Sequence, residues 1–98
     1  MIYKYKISNS PIIIPIPTVI VTSGETIKKF LDLQVQNGEV VIWAEVEKDN
    51  SEPKHYEIIP VWTGFEEPRD KGFVYLGTIQ APNGLVYHYY GNLKNKGE

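Results

Sequence analysis

The stretch that decides the fold is Leu31 to Ala44, which reads LDLQVQNGEVVIWA. Asn37-Gly38 lies at its centre, between two runs that alternate apolar and polar side chains. A two-residue type I′ turn requires positive φ at both central positions, and Asn followed by Gly adopts it most readily. The stretch therefore predicts a β-hairpin in which Gln36 pairs with Glu39.

Counting outward from this turn gives the register of the two strands. The pairs predicted on the core face are Val35 with Val40, Leu33 with Ile42, and Leu31 with Ala44. The opposite face would carry Gln36 with Glu39, Gln34 with Val41, Asp32 with Trp43, and Phe30 with Glu45. Because a tryptophan among apolar side chains and amides is not typical of a solvated surface, we expect something to cover this second face.

The same alternation of period two recurs along most of the chain and predicts further strands. These strands are residues 2–7, 18–22, 55–63, 73–80 and 85–90, and the last two are joined across Ala81-Pro82-Asn83-Gly84 by a two- or four-residue loop. With either loop length, Val74, Leu76, Leu85 and Tyr87 share one face, whereas Phe73, Tyr75, Val86, His88 and Tyr90 share the other.

Residues 25–33 fit two kinds of secondary structure. Ile27, Phe30 and Leu31 have helical spacing. A helix here would place Gly24 inside its first turn, and strict alternation resumes at Leu31, so we favour a strand.

The prolines indicate sheet edges. Pro11, Pro15 and Pro17 share one parity, so in an extended segment their missing N–H groups would all fall on one side, as in an edge strand. Pro60 favours an edge position or a bulge in its own strand for the same reason.

The architecture expected from these elements is all-β, a small antiparallel sandwich or partly open barrel of six to seven strands. Ninety-eight residues suffice for one modest core, so we predict a single domain over residues 1–91. Residues 92–98 carry no core side chain except Leu93, and we expect them to form a disordered tail.

Composition and charge argue against several classes of function. The chain has 10 basic and 12 acidic residues, a net charge of −2 and no cysteine. Without a concentrated positive face, a nucleic-acid partner is not expected, and without cysteine there is no thiolate chemistry. The longest apolar stretch, Pro11 to Val21, is too short and too rich in proline to span a bilayer, so we expect a cytoplasmic protein with no membrane partner.

The sequence carries no motif of a known catalytic class, and we expect neither enzymatic activity nor a cofactor or bound metal. The one candidate acid or base is His88, because histidine titrates near neutrality, although a strand histidine is more often a packed, hydrogen-bonded side chain. Asp32, Glu45 and Glu47 would project from the Trp43 face, where they could act as paired carboxylates or simply be solvated.

The aromatic content favours a flat ligand, since seven tyrosines and two tryptophans offer stacking surfaces with polar tips. The candidate ligand-binding residues are Trp43, Tyr75 and Tyr90 for stacking, Gln34, Gln36, Thr63 and His88 for polar recognition, and Arg69 and Lys71 for a phosphate. Together these groups suit a nucleotide. Two alternatives stay open: strand aromatics also serve cross-strand packing or a subunit interface, and residues 66–71 are also typical of a solvated turn.

Both faces of both predicted hairpins are apolar or aromatic, and the chain is too short for a three-layer fold. One face would then meet a second copy or another protein, so we expect a homo-oligomer. A pocket between subunits would place aromatic side chains near charged loops without a deep cavity in one copy.

Four segments resemble a family of short, uncharacterised tailed-phage proteins: Gln34 to Val46, Thr63-Gly64, Tyr75 to Gln80 and Gly84 to His88. The resemblance covers about residues 25 to 90, and the opening Tyr3-Lys4-Tyr5-Lys6 matches more weakly. The family pattern has Gly-Thr-Gly where this chain has Trp62-Thr63-Gly64, and the proline-rich segment is particular to this chain. The resemblance implies a phage origin and a small β fold, and it assigns no activity.

Some small phage proteins act against bacterial immunity as oligomeric sponges that bind cyclic ADP-ribose or cyclic dinucleotide signals without cleaving them. By analogy with this class, we expect a non-enzymatic homo-oligomer that sequesters a nucleotide-type host signal in the infected bacterial cytoplasm. The alternative is a virion-associated or host-protein-binding interaction module.

Overall fold

The fold was obtained as a computed structural model, which describes residues 1–8, 18–49, 52–70, 72–80 and 84–94. Within these residues the chain forms seven strands: β1 (Ile2–Ser8), β2 (Thr18–Thr22), β3 (Glu25–Gln36), β4 (Glu39–Lys48), β5 (Lys54–Trp62), β6 (Phe73–Gln80) and β7 (Val86–Asn92). The all-β prediction is confirmed, and the ambiguous segment after Gly24 is strand rather than helix.

The strands form two antiparallel sheets. Sheet A has the order β1-β4-β3, and sheet B has the order β2-β5-β7-β6. The sheets do not close into a barrel, so the sandwich is the one of the two expected architectures that forms. Strands β5, β7 and β6 are neighbours in sheet B, although the long loop after β5 separates β5 from the other two in sequence.

A single core lies between the sheets, built from alternate residues of each strand. Sheet A contributes Val40, Ile42, Ala44 and Val46 from its central strand, and sheet B contributes Ile20, Tyr56, Ile58, Ile79, Tyr87 and Tyr89. The residues between these in sequence therefore face outward, and each sheet has one outer face open to solvent.

The Asn37-Gly38 hairpin forms as predicted, with φ of 52° and 77° at its two central residues. Gln36 pairs with Glu39, Val35 with Val40 and Leu33 with Ile42, but a bulge between Phe30 and Asp32 shifts the register beyond this point. Ala44 therefore pairs with Phe30 instead of Leu31, so the predicted Leu31–Ala44 and Phe30–Glu45 pairs are wrong.

The bulge changes which side chains are buried. Phe30 packs against the core from the position predicted to face outward. Leu31, predicted on the core face, is 41% exposed. Val35 lies outside the bulge and keeps its predicted pairing with Val40, yet it is 46% exposed. Phe30 and Leu31 are consecutive apolar residues at the bulge, so the alternation of side chains does not show which of the two faces inward.

The β6–β7 connection is longer than predicted. Gln80 pairs with Val86, so five residues lie between the strands instead of two or four. A bulge between Tyr75 and Gly77 compensates for the extra residue, so that Tyr75 pairs with Tyr90 and Leu76 packs against the core. The prediction that Tyr75, His88 and Tyr90 share a face is therefore confirmed.

The proline predictions have different outcomes. Pro11, Pro15 and Pro17 lie outside the described residues, so the edge-strand prediction stays a prediction. Pro60 pairs with Tyr89 of β7 on one side. On its other side, the described part of β2 pairs with β5 only as far as Ile58, so Pro60 lies beyond the described β2–β5 pairing.

The C-terminal end of the described chain continues past the predicted domain limit. Asn92 closes β7 and is buried, and Leu93 packs against the core. Residues 95–98 lie outside the described part. No helix among the described residues has the length and apolar character needed to cross a membrane.

Candidate functional site

The structure divides the predicted binding residues between the two outer faces of the sandwich. Trp43, Gln34 and Gln36 lie on the outer face of sheet A, whereas Tyr75, Tyr90, His88 and Thr63 lie on or beside the outer face of sheet B. A ligand in one copy cannot contact both groups, because the core lies between them. The predicted nine-residue site is therefore two separate clusters and a loop.

On sheet A, the polar side chains around Trp43 bond to one another. The Trp43 indole Nε1 donates to Gln34 Oε1 at 3.3 Å, and Gln36 Nε2 donates to the same oxygen at 3.3 Å. Gln34 Nε2 in turn donates to Asp32 Oδ2 at 2.8 Å. These side chains therefore form hydrogen bonds with one another, and the bonded donors and acceptors are not free to bind a ligand.

The apolar part of this face is also covered. Lys4 Nζ lies 5.6 Å from the Trp43 ring centroid and donates to Gln36 Oε1 at 3.4 Å. Val41, although it points outward, is only 2% exposed. The cover expected over Trp43 is supplied in part by the chain's own Lys4 and glutamines, through a cation–π contact and the aliphatic lysine stem.

On sheet B, His88 is held between two threonine hydroxyls. Its Nε2 lies 2.7 Å from Thr63 Oγ1, and its Nδ1 lies 2.9 Å from Thr78 Oγ1. The Thr78 hydroxyl is also hydrogen-bonded to the Tyr75 hydroxyl. Strands β6 and β7 and the turn after β5 thus contribute to one chain of hydrogen bonds, which fixes the imidazole ring in place.

Tyr75 and Tyr90 form an aromatic pair beside this chain. Their ring centroids are 5.7 Å apart at an interplanar angle of 65°, an edge-to-face arrangement. Tyr75 is 58% exposed. Burial, followed by the charges of Glu67 and Tyr75, raises the pKa of Tyr90 above its ordinary value.

A tight turn after β5 presents a further aromatic side chain. The Phe65 N–H donates to the Trp62 carbonyl at 3.1 Å, and Gly64 has a φ of 95° that favours glycine. The turn holds Phe65 against Trp62, with centroids 5.9 Å apart, yet leaves Phe65 68% exposed. A large exposed aromatic on a short turn is available to a ligand without loop ordering.

A cleft of about 230 Å³ lies where this turn meets β7. Its lining residues are Val61, Trp62, Thr63, Gly64, Phe65, Glu67, His88 and Tyr90. An adjoining apolar depression of about 250 Å³ lies beside Pro60, Val61, Trp62 and Phe65. The cleft combines aromatic walls with hydroxyl, imidazole and carboxylate groups, and it includes three of the nine predicted residues.

The predicted phosphate-binding loop is only partly described. Arg69 is bonded to Glu66 at 3.1 Å, with 89% of its side chain exposed, and it does not line the cleft. Lys71 lies outside the described residues. Glu67 lines the cleft, and none of the salt bridges between described residues includes it.

Sequence reasoning missed four side chains of this region: Trp62, Phe65, Glu67 and Thr78. Phe65 had a recognisable signal, because it directly follows Thr63-Gly64, a pair typical of a turn that would expose it. Thr78 had none, since its role depends on β6 lying next to β7 at a register changed by a bulge.

The hydrogen-bonded cluster around His88 has part of the geometry of a catalytic triad. A hydroxyl bonds to one nitrogen of an imidazole, and a third group bonds to the other nitrogen. The third group is the Thr78 hydroxyl, however, whereas a triad has a carboxylate at this position to stabilise the imidazolium. Among the described residues, no three His, Asp or Glu side chains come together as metal ligands.

Comparison with known proteins places the chain at the level of a family. A search of curated proteins and a search of solved structures each gave no match. A family model described as a domain of unknown function, DUF7352, matches residues 1–98. The chain, with its two-sheet sandwich and its cleft beside His88, therefore belongs to the DUF7352 family.

Proposed function

We propose that the protein is a non-enzymatic binding protein that takes up a nucleotide-type small molecule in the cleft of sheet B. The observation that carries this proposal is the position of Phe65, exposed on a tight turn and lining a cleft that also contains Thr63, His88 and Tyr90. Exposed aromatic rings beside fixed polar groups are the elements that nucleobase recognition needs.

Stacking supplies the first part of the binding energy. A base stacked on an aromatic side chain gains about 1–3 kcal/mol, and the gain tolerates different bases because each has a flat face. The cleft, at about 230 Å³, is smaller than the cavities that enclose drug-sized ligands. It suits one ring system, with the remainder of the ligand outside.

The charges near the cleft favour one orientation of such a ligand. Glu67 lines the cleft, so a phosphate there would meet a like charge. Arg69 follows two residues later, and its exposed pair with Glu66 is of a kind worth about 0–1 kcal/mol. Exchanging Glu66 for a phosphate would therefore cost little, which favours the base inside the cleft and the phosphate toward Arg69.

The biological setting of the proposal comes from the resemblance to tailed-phage proteins. In that setting the protein would act in the cytoplasm of an infected bacterium and sequester a cyclic ADP-ribose or cyclic dinucleotide signal of host immunity. Assembly into a homo-oligomer would cover exposed apolar side chains of sheet B, among them Val19, Val21 and Tyr75, which are 41%, 56% and 58% exposed.

Tryptophan fluorescence tests the proposal, because Trp62 lines the cleft whereas Trp43 lies on the outer face of sheet A. Trp43→Phe leaves Trp62, which lines the cleft, as the sole tryptophan. Titration of this variant with cyclic ADP-ribose isomers and cyclic dinucleotides should give saturable quenching by at least one of them. The bound compound should be recovered chemically intact after heat release.

Two variants make the titration specific to the cleft. Phe65→Ala should weaken binding by about tenfold, as expected for the loss of one stacking partner. Leu31→Ala is the matched control, because Leu31 is also an exposed apolar side chain but lies on sheet A. Absence of quenching and of retained ligand for every compound would overturn the proposal, and recovery of a cleaved compound would overturn its non-enzymatic part.

A second candidate function is an interaction module that binds a protein partner. It is favoured by the distribution of exposed large hydrophobic side chains: of the ten among the described residues, Val19, Val21, Phe65, Val74, Tyr75 and Leu85 belong to sheet B or its loops. A monomer in solution that does not bind nucleotides but captures one host protein through sheet B or its loops would favour this function. A homo-oligomer with bound small molecule would favour the first.

A further inference from the structure

Glu67 is the acidic residue that lines the cleft, and its carboxylate constrains which base the cleft would recognise. A glutamate carboxylate has two oxygens that only accept hydrogen bonds, so it pairs best with two adjacent N–H donors. Glu67 lines the cleft with an exposed side chain, and it has no salt-bridge partner among the described residues. The carboxylate is therefore positioned to accept from a ligand.

The nucleobases differ in what they offer to such a group. Guanine presents a ring N–H next to an exocyclic amine, which matches both oxygens of a carboxylate. Adenine presents one amine beside a ring nitrogen lone pair, which a carboxylate repels. Guanine also carries two acceptors on its opposite edge, its carbonyl oxygen and N7.

The rest of the cleft complements that opposite edge. The Tyr90 hydroxyl can donate to an acceptor, and the Thr63 hydroxyl can do so when it accepts from the His88 Nε2–H at 2.7 Å. A carboxylate acceptor and hydroxyl donors that line the same cleft match guanine and leave adenine with an unfavourable contact. We infer that the cleft selects guanine over adenine through Glu67, an inference that rests on the proposed function.

Cyclic dinucleotides provide a direct test, because cyclic di-GMP, cyclic di-IMP and cyclic di-AMP carry the same phosphates and differ in their bases. Binding to the Trp43→Phe protein should be strongest for the guanine compound and at least tenfold weaker for the adenine compound. The hypoxanthine compound keeps the ring N–H but lacks the exocyclic amine, so it should fall between them.

Glu67→Gln is the variant that isolates the interaction. An amide offers one acceptor and one donor, so affinity for cyclic di-GMP should fall at least tenfold while affinity for cyclic di-AMP holds or rises. Glu66→Gln is the matched control, since Glu66 is the neighbouring glutamate and does not line the cleft. It should leave the ratio of the two affinities unchanged.

The outcomes separate this inference from the proposed function. If none of the three compounds binds, and the wider set of nucleotides also fails, the proposed function is overturned. If the three compounds bind with equal affinity, if cyclic ADP-ribose, whose base is adenine, binds more tightly than cyclic di-GMP, or if Glu67→Gln leaves the ratio unchanged, only guanine selection is overturned. Because Glu67 is exposed, a thermal unfolding curve should show that the variant is folded.

Discussion

Thr63, in the turn after β5, and His88 of β7 are joined by a 2.7 Å hydrogen bond between Oγ1 and Nε2. The bond links Thr63, an exposed loop residue, to the imidazole of His88, whose other nitrogen is hydrogen-bonded to Thr78. The position of the turn, and with it the position of Phe65, therefore depends on the imidazole of His88.

Thr63→Val removes this hydrogen bond while retaining the shape of the side chain. One neutral hydrogen bond is worth about 0.5–1.5 kcal/mol, so nucleotide binding in the cleft should weaken about 2- to 10-fold. Titration of Trp62 fluorescence in the Trp43→Phe protein measures the change. Thr26→Val, an equivalent exchange in β3 far from the cleft, is the control, and equal effects of the two variants would contradict a role for Thr63.

The register of β3 predicts unequal effects of truncating its two neighbouring apolar residues. Phe30 packs against the core, so Phe30→Ala should lower the free energy of unfolding by about 3 kcal/mol. Leu31 is 41% exposed at the bulge, so Leu31→Ala should cost less than about 1 kcal/mol. Urea unfolding measures both. The reverse order would show that the unshifted register is the correct one.

Gly91 of β7 lies where a side chain does not fit. A Cβ placed there would be 2.9 Å from Phe30 Cε2 and 3.0 Å from atoms of Ile58 and Leu76. Overfilling a close-packed core costs about 1–3 kcal/mol, so Gly91→Ala should be destabilising by that amount. Gly38→Ala has open space around it and should cost about 1 kcal/mol, because it strains a φ of 77°. A neutral Gly91→Ala in thermal unfolding would argue against this packing.

Stability should fall at alkaline pH. Burial, followed by the neighbouring Tyr87, raises the pKa of Tyr89 to about 12, whereas an unfolded tyrosine titrates near 10. Between these values the unfolded chain releases a proton that the folded chain keeps, so stability decreases as pH rises from about 10 to 12. Burial likewise raises the pKa of Tyr5 to about 12 and adds to this decrease.

Tyr89→Phe separates the two tyrosines. The Tyr89 hydroxyl is buried without a hydrogen-bond partner among the described residues, so its removal at neutral pH should leave stability unchanged or raise it by about 1 kcal/mol. The decrease in urea midpoint from pH 10 to 12 should become shallower. An unaltered pH dependence would mean that Tyr89 is ionised as readily in the folded chain as in the unfolded one.

The hairpin at Asn37-Gly38 could be predicted because its turn chemistry is local. Two residues determine the turn, and the turn determines the pairing next to it. The bulge at Leu31 could not be predicted, because Phe30 and Leu31 are both apolar and either can face the core. Only the packing of Phe30 against the opposite sheet decides between them.

The candidate site was predictable in part for a related reason. Tyr75, His88 and Tyr90 belong to one hairpin, so their common face follows from the alternation of side chains along it. Trp43 was assigned to the same site because the sequence does not say which hairpins share a sheet. The order of strands within each sheet is a property of the whole chain, and it separates Trp43 from the others.

The bulge at Leu76 and the five-residue connection between β6 and β7 have a consequence for how this family tolerates insertions and deletions. Each shifts the ladder by one position, and the two shifts cancel. Shortening the connection alone would move Tyr75 away from Tyr90 and turn Leu76 outward. Family members with a shorter connection should therefore also lack the extra residue at the bulge, so that the two lengths change together.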